Sequence, residues 1–176
     1  MELNYKEKLK TITTFFFDVD GVLTDGTVML LPGGEQARRM NIKDGYALQL
    51  AIKQGFKICI ITGGKSELVK QRMAGLGITD VYLNVQDKVD RFEDYFYSNH
   101  LKIEETLYMG DDMPDWEVMQ KVYLAACPND SVAEIKKISH YISPFNGGQG
   151  CVRDIIEQVL KIQGKWEHIS SVKSTI

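Results

Sequence analysis

Short apolar runs rich in β-branched and aromatic residues recur along the chain, separated by stretches whose apolar positions return every three or four residues. The runs are ITTFFF (12–17), KICIIT (57–62), VYL (81–83), TLYMG (106–110) and VYLAA (122–126). Each is short and apolar at odd and even positions alike, the pattern of a strand covered on both faces. The stretches 44–53, 65–76, 88–100 and 114–121 carry helical spacing, and a last helix over 151–162 puts Val152, Ile155, Ile156, Val159 and Leu160 on one stripe. This alternation predicts an α/β fold with a parallel central sheet between two helical layers. One segment breaks the rhythm. TVMLL and QARRMNI flank Pro32, Gly33 and Gly34 and read as a β-hairpin after the first strand. The end, GKWEHISSVKSTI, loses the helical pattern and reads as a tail, either free or docked.

Composition narrows the function classes. A chain of 176 residues is long enough for one domain with its own core. Its 44% hydrophobic and 26% charged residues exclude a disordered chain. The 21 basic and 24 acidic residues leave a net charge of −3 with no basic stripe, which argues against a nucleic-acid partner. No apolar run approaches the ~18 residues a membrane span needs. The charged start MELNYKEKLK lacks the apolar centre of a signal peptide, so the expected location is cytoplasmic. Cys59, Cys127 and Cys151 show no CxxC spacing. Cys59 and Cys127 sit in apolar runs and read as small buried hydrophobes, not as a disulfide framework or a zinc site.

Candidate chemistry gathers at strand ends. Asp18 and Asp20, in DVDGVLTDG, leave the first strand where open α/β sheets bind ligands. Continued extended geometry would point both to one side. At 4 Å their repulsion is roughly 4 kcal/mol with an effective dielectric near 20, so a hard divalent cation such as Mg²⁺ is expected between them. Gly21 lets the chain turn where a side chain would clash. A second acidic cluster, GDDMPD (110–115), follows TLYM, and Asp111 would complete the metal site. Asp115 reads equally as a helix cap. Thr62, with Gly63 and Gly64, can offer a hydroxyl and N–H groups to phosphate oxygens, and Lys88 can neutralise them. Together these groups suit phosphoryl transfer, in which a carboxylate nucleophile divides a very slow hydrolysis into two easier displacements.

The ordered set DVDGVLTDG, ITGG, Lys88 and GDDMPD resembles the haloacid dehalogenase (HAD) superfamily of phosphohydrolases. The resemblance implies a Rossmann-like three-layer α/β/α sandwich. It makes Asp18 the nucleophile, Asp20 the general acid/base, and Thr62 and Lys88 the phosphate ligands. Asp18, Asp111 and the backbone carbonyl of Asp20 then hold Mg²⁺. From Asp20 to Thr62 is 42 residues and from Thr62 to Lys88 is 26, too few for a separate cap domain. The hairpin, about 27–42, is the one insertion. Over nearly the whole chain the resemblance sharpens toward the capless 3-deoxy-D-manno-octulosonate 8-phosphate (KDO 8-phosphate) phosphatases. Its matching stretches are DVDGVLTDG, GGE (33–35), NIKDGYAL (41–48), LGITDVYLNVQDK (76–88), GDDMPDWEVMQKV (110–122), GGQGCVRDI (147–155) and QGK (163–165).

That family implies a homotetramer serving lipopolysaccharide synthesis, in which flap and tail close a neighbour's site. It makes 1–164 the phosphatase domain and 165–176 the tail, with Arg153 in the Gly-rich closing element. It places substrate contacts at Asp20, Asn41, Ile42, Lys43, Asp44, Gly45, Gly63, Arg72 and Lys88. Two positions depart from it. Gly64 and Gln49 stand where the family commonly has arginine, the residue suited to gripping a carboxylate two-pronged. Both positions are expected to face the pocket at the carboxylate end of the substrate, with Lys65, Lys43 or Arg72 left to compensate. A nine-carbon keto-deoxy sugar acid phosphate is therefore the nearest alternative substrate. A macromolecule that itself covers the open site is another, since phosphoryl transfer excludes water. A non-enzymatic module would have lost a catalytic position, whereas all of them are present.

Overall fold

Three consecutive phenylalanines set the layering. In the computed structural model, which describes residues 4–173, a short helix α1 (Tyr5–Lys8) leads into β1 (Thr14–Phe17). Side chains alternate faces along a strand, so Phe15 and Phe17 enter one apolar core and Phe16 the other. The chain then makes an irregular helical turn, Val19–Leu23, and runs out into the antiparallel hairpin β2 (Met29–Leu30) and β3 (Gln36–Ala37). A bridge between Thr24 and Met40 closes the base of this flap. There follow α2 (Ile42–Lys53), β4 (Lys57–Ile61), α3 (Glu67–Gly75), β5 (Asp80–Tyr82), α4 (Lys88–Ser98) and β6 (Thr106–Met109). The chain continues through α5 (Trp116–Met119), β7 (Leu124–Cys127), α6 (Ala133–Ile138), β8 (Tyr141–Ile142) and α7 (Cys151–Ile162).

Six strands form one parallel sheet in the order β5-β4-β1-β6-β7-β8. Helices α2, α3 and α7 cover the Phe15/Phe17 face, and α4, α5 and α6 the Phe16 face. This is the α/β/α arrangement the patterning predicts, with the hairpin as the one other sheet among the described residues. Three elements escape the pattern. The helices α1 and α6 are four and six residues long, and β8 is two residues inside the polar stretch HYIS. None spans enough positions for a period to register. The expected helix over 114–121 is a tight turn, Met113–Asp115, running into the four-residue α5. No helix among the described residues is long and apolar enough to cross a membrane.

Helix α7 is central to the first core. Its Val152, Ile155, Ile156, Val159 and Leu160 are all 0% exposed, and each large aliphatic side chain so buried contributes about 1.5–3 kcal/mol. The Gly-rich stretch before it presses on the turn that follows β1. A Cβ on Gly147 would lie 1.9 Å from the Gly21 carbonyl oxygen and 2.9 Å from that of Thr24, while the Gly148 N–H donates to the Val22 carbonyl at 2.9 Å. Both partners are backbone and cannot swing aside. Gly147→Ala is therefore expected to destabilise the protein by about 1–3 kcal/mol or more, read as a lower midpoint in urea unfolding. An unchanged midpoint would show that the turn yields freely.

The tail lies along its own chain. Trp166, Ile169 and Val172 rest on the first core, and the Arg153 guanidinium sits over the Trp166 ring, 5.4 Å from its centroid. The Lys53 ammonium donates to the Ser171 carbonyl. Residues 174–176 of the tail fall outside the described residues. This docking corrects the expectation for Gln49. It is 7% exposed and its amide donates to the Lys173 carbonyl at 3.3 Å, so it is turned to the tail and not to the pocket.

Candidate active site

Sheet register decides which residues meet. Phe17 pairs with Ile60 of β4 and with Met109 of β6, so the three strands end nearly level. Asp18, Thr62 and Asp111 thus leave the same edge. This edge is also where the two neighbours of β1 lead away in opposite directions, the crevice in which parallel α/β sheets bind ligands. A cleft of about 530 Å³ opens there, lined by Asp18, Asp20, Thr62, Gly63, Lys88 and Asp111 among others.

Asp18 is 8% exposed. Its Oδ1 accepts from the Val19 N–H at 2.7 Å and lies 3.0 Å from Lys88 Nζ, which leaves Oδ2 outside these contacts. Lys88, the first residue of α4, also reaches Asp115 Oδ1 at 2.7 Å. Asp115 is fully buried and takes the Tyr108 hydroxyl on Oδ1 at 2.8 Å and the Asp111 N–H on Oδ2 at 3.1 Å. It anchors the lysine and the neighbouring aspartate together. Asp115 stands at the N-cap of α5 with no side-chain capping bond, and Asp112 caps the preceding turn, its side chain accepting from the Met113 N–H at 2.8 Å. Tyr108 went unnoticed as a site residue because an apolar strand interior is where a tyrosine is expected anyway.

The cluster is short of positive charge. Asp18, Asp111 and Asp115 each offer an oxygen, all within 4.8 Å of one another. Against them stands one ammonium, so with all three ionised two negative charges would be uncompensated. Burial pushes the Asp18 carboxyl well above its usual range and Asp115 adds to this, with Lys88 pulling back. Burial, then Asp115 and Asp112, raise Asp111 to about 7. Burial opposes the charged form of Lys88, yet Asp18 and Asp115 outweigh it and hold the ammonium above its ordinary value. The Oδ1 of Asp111 is buried with no hydrogen-bond partner. An orphaned oxygen beside a desolvated carboxylate of this charge fits a hard divalent cation. Gly21, at φ +87°, makes room for it: a Cβ there would fall 2.0 Å from Asp111 Oδ2.

Asp20 corrects one expectation. The backbone does not stay extended past Asp18, and the Asp20 carboxylate is not among those that gather with Asp18. It is gripped by Arg38 from the flap, Nε to Oδ1 at 2.6 Å and Nη2 to Oδ2 at 3.2 Å. Sequence reasoning missed Arg38, since a pair of arginines at the exit of a hairpin reads as a solvated charge run. Its signal lay in the hairpin, which returns the chain over the site. Thr62 is 3% exposed and its Oγ1 accepts from the Gly64 N–H at 3.0 Å.

The segment 41–45 opens α2. The Asn41 side chain caps the helix, accepting from the Lys43 N–H at 2.8 Å, and Ile42 is 61% exposed. Asp44 is 2% exposed and turned inward, its Oδ1 accepting from the Arg153 N–H at 2.8 Å. Burial raises its carboxyl to about 6. Gly45 follows within the helix, and Arg72 lies in the last turn of α3. Asn41, Asp44 and Ile42 thus face a helix end or solvent, whereas Asp18, Asp20, Thr62, Gly63, Lys88 and Asp111 converge.

No family model matches the chain. It is 36% identical over 158 residues to the 3-deoxy-D-manno-octulosonate 8-phosphate phosphatase KdsC of Escherichia coli (strain K12), covering 90% of this chain and 84% of that one. It is 32% identical over 161 residues to KdsC of Yersinia pestis, covering 92% and 86%. Among solved structures, the Yersinia pestis phosphatase superposes with a TM-score of 0.90 at 31% identity, over 92% of this chain and 88% of that one. The Moraxella catarrhalis phosphatase, in complex with a magnesium ion, a phosphate ion and KDO, does so with a TM-score of 0.88 at 29% identity, over 93% and 94%.

Proposed function

The chain belongs to the KDO 8-phosphate phosphatase family of HAD-type hydrolases, and from that premise we propose that its cleft hydrolyses the phosphate monoester of 3-deoxy-D-manno-octulosonate 8-phosphate. The observation that carries this reading is the meeting of the Asp18 and Asp111 oxygens, with the Lys88 ammonium on Asp18, at the level ends of β1 and β6. The cofactor is Mg²⁺, which the carboxylates of Asp18 and Asp111 and the backbone carbonyl of Asp20 would hold. When bound it offsets the uncompensated charge and so admits a phosphate dianion beside a carboxylate.

The residues then divide the work. Asp18 attacks phosphorus through its free oxygen, forming an aspartyl-phosphate as the bond to the sugar oxygen breaks. Asp20 gives a proton to that leaving oxygen. It then takes one from the water that hydrolyses the aspartyl-phosphate. The Thr62 hydroxyl and the Gly63 N–H hold the non-bridging oxygens, and Lys88 neutralises charge on the phosphoryl group. Asp115 and Tyr108 keep Lys88 aimed.

The wider reading is a cytoplasmic homotetramer in lipopolysaccharide synthesis. In it, flap and tail close a neighbour's site, and Asn41, Ile42, Lys43, Asp44, Gly45 and Arg72 make substrate contacts. Exposed apolar residues on the flap, Met29 at 66% and Leu30 at 75%, support a contact that covers them. Gly64 keeps a second substrate in view, a nine-carbon keto-deoxy sugar acid phosphate, because the site lacks an arginine there. A panel of eight- and nine-carbon sugar acid phosphates and a phosphopeptide tests the choice. Expected is a kcat/KM for KDO 8-phosphate at least about tenfold above the others, one lost methylene-sized contact being worth that much. The reverse order would reassign the substrate.

A further inference from the structure

Asp20 is not free to act as an acid or a base here. Both of its carboxylate oxygens are taken by Arg38, whose side chain is only 9% exposed. A planar guanidinium on a carboxylate in this two-pronged form is a strong, directional contact. To hand a proton to a leaving oxygen, or to take one from water, Asp20 must recover at least one oxygen. Arg38 therefore has to move, and it has room. It lies on the wall of a groove of about 690 Å³ that adjoins the cleft and is also lined by Gly63, Gly64 and Lys65. A Cβ on Gly64 would fall 3.7 Å from Arg38 Nη2 and 3.6 Å from Asp20 Oδ2. A long side chain at 64 would contend for the space the guanidinium uses, and glycine leaves it open.

We propose that Arg38 binds the carboxylate of the sugar acid, passing from Asp20 to the substrate as it enters, and that this transfer frees Asp20 for catalysis. The inference rests on the sugar-acid reading above. One guanidinium–carboxylate pair is exchanged for another of the same geometry, so the arginine is never left without an anion, and Asp20, released as a carboxylate, takes from solvent water the proton it then gives to the leaving oxygen. The substrate's phosphate cannot serve as the trigger equally well, because Thr62 and Lys88 already meet it. A phosphate monoester without a carboxylate leaves the clamp in place. Arg38 thereby couples recognition of the acid end to release of the acid/base at the phosphate end, and it stands in for the arginine missing at position 64.

The test compares Arg38→Ala with wild type on two substrates. One is KDO 8-phosphate; the other is D-arabinose 5-phosphate, which has an alkyl leaving group and no carboxylate. Expected is a fall in kcat/KM of about 10- to 100-fold on the first, chiefly through KM, as the loss of a charge-assisted contact implies. On the second kcat/KM rises, because the clamp that a carboxylate-free ester leaves in place is gone, which also shows that the variant folds. An equal fall on both would reduce Arg38 to a support for Asp20 and overturn the inference, as would no change on either. If wild type itself shows no preference for KDO 8-phosphate, the substrate reading fails and takes the inference with it, a result visible before any variant is made.

Discussion

Asp18→Asn is expected to lower turnover by at least about 10⁴-fold while the protein stays folded. The amide keeps the size of the carboxylate but lacks the charge and the nucleophilic oxygen, and loss of a nucleophile removes the step that the other groups assist. Stability should hold or rise. Burial and Asp115 make the charged form of Asp18 costly, and asparagine removes that cost while Lys88 retains Asp115 at 2.7 Å. Single-turnover assays and thermal melts of the same preparation check both halves. Residual turnover within tenfold of wild type would take the nucleophile assignment from Asp18. Loss of the folded state would instead show that the Lys88 pair holds the structure.

Stripping divalent cation should be almost as damaging, with turnover falling at least about 10³-fold and returning on addition of Mg²⁺. Turnover sustained in chelator would contradict the charge argument. The effect also has a defined dependence on pH. The Asp111 carboxyl, raised to about 7 by burial and then by Asp115 and Asp112, binds its proton more tightly folded than unfolded. In metal-free protein the site therefore costs nothing below about pH 4, and stability is lost as pH rises toward 7. A cation must displace that proton, so its affinity falls about tenfold for each unit below pH 7. Mg²⁺ should accordingly raise the Tm far more at pH 8 than at pH 5. Equal increments at the two pH values would mean that Asp111 is not a ligand.

Much of this site was legible in the chain because its residues sit at strand ends, and strand ends can be found from local patterning. Asp18, Thr62 and Asp111 each stand at the end of a short apolar run, and Lys88 opens an amphipathic helix. The less legible residues lack such a mark. Arg38 lies in a polar hairpin, and its role depends on how far the flap folds back. Tyr108 is one more aromatic in a buried strand until its hydroxyl is seen on Asp115. Gln49, placed toward the pocket by the family resemblance, is claimed by a tail whose residues have no period of their own.

The amino-acid order alone determined the layered α/β arrangement, the hairpin and the identity of the carboxylates, because hydrophobic periodicity and turn residues are local and survive without neighbours. Only the tertiary structure decided how charge is shared: that Asp115 anchors Lys88, that Asp20 answers to Arg38, and that Asp111 keeps a buried oxygen without a partner. Those outcomes depend on distances of a few ångströms between segments far apart in the chain. Coulombic and desolvation energies change steeply over that range, and no spacing along the sequence encodes it.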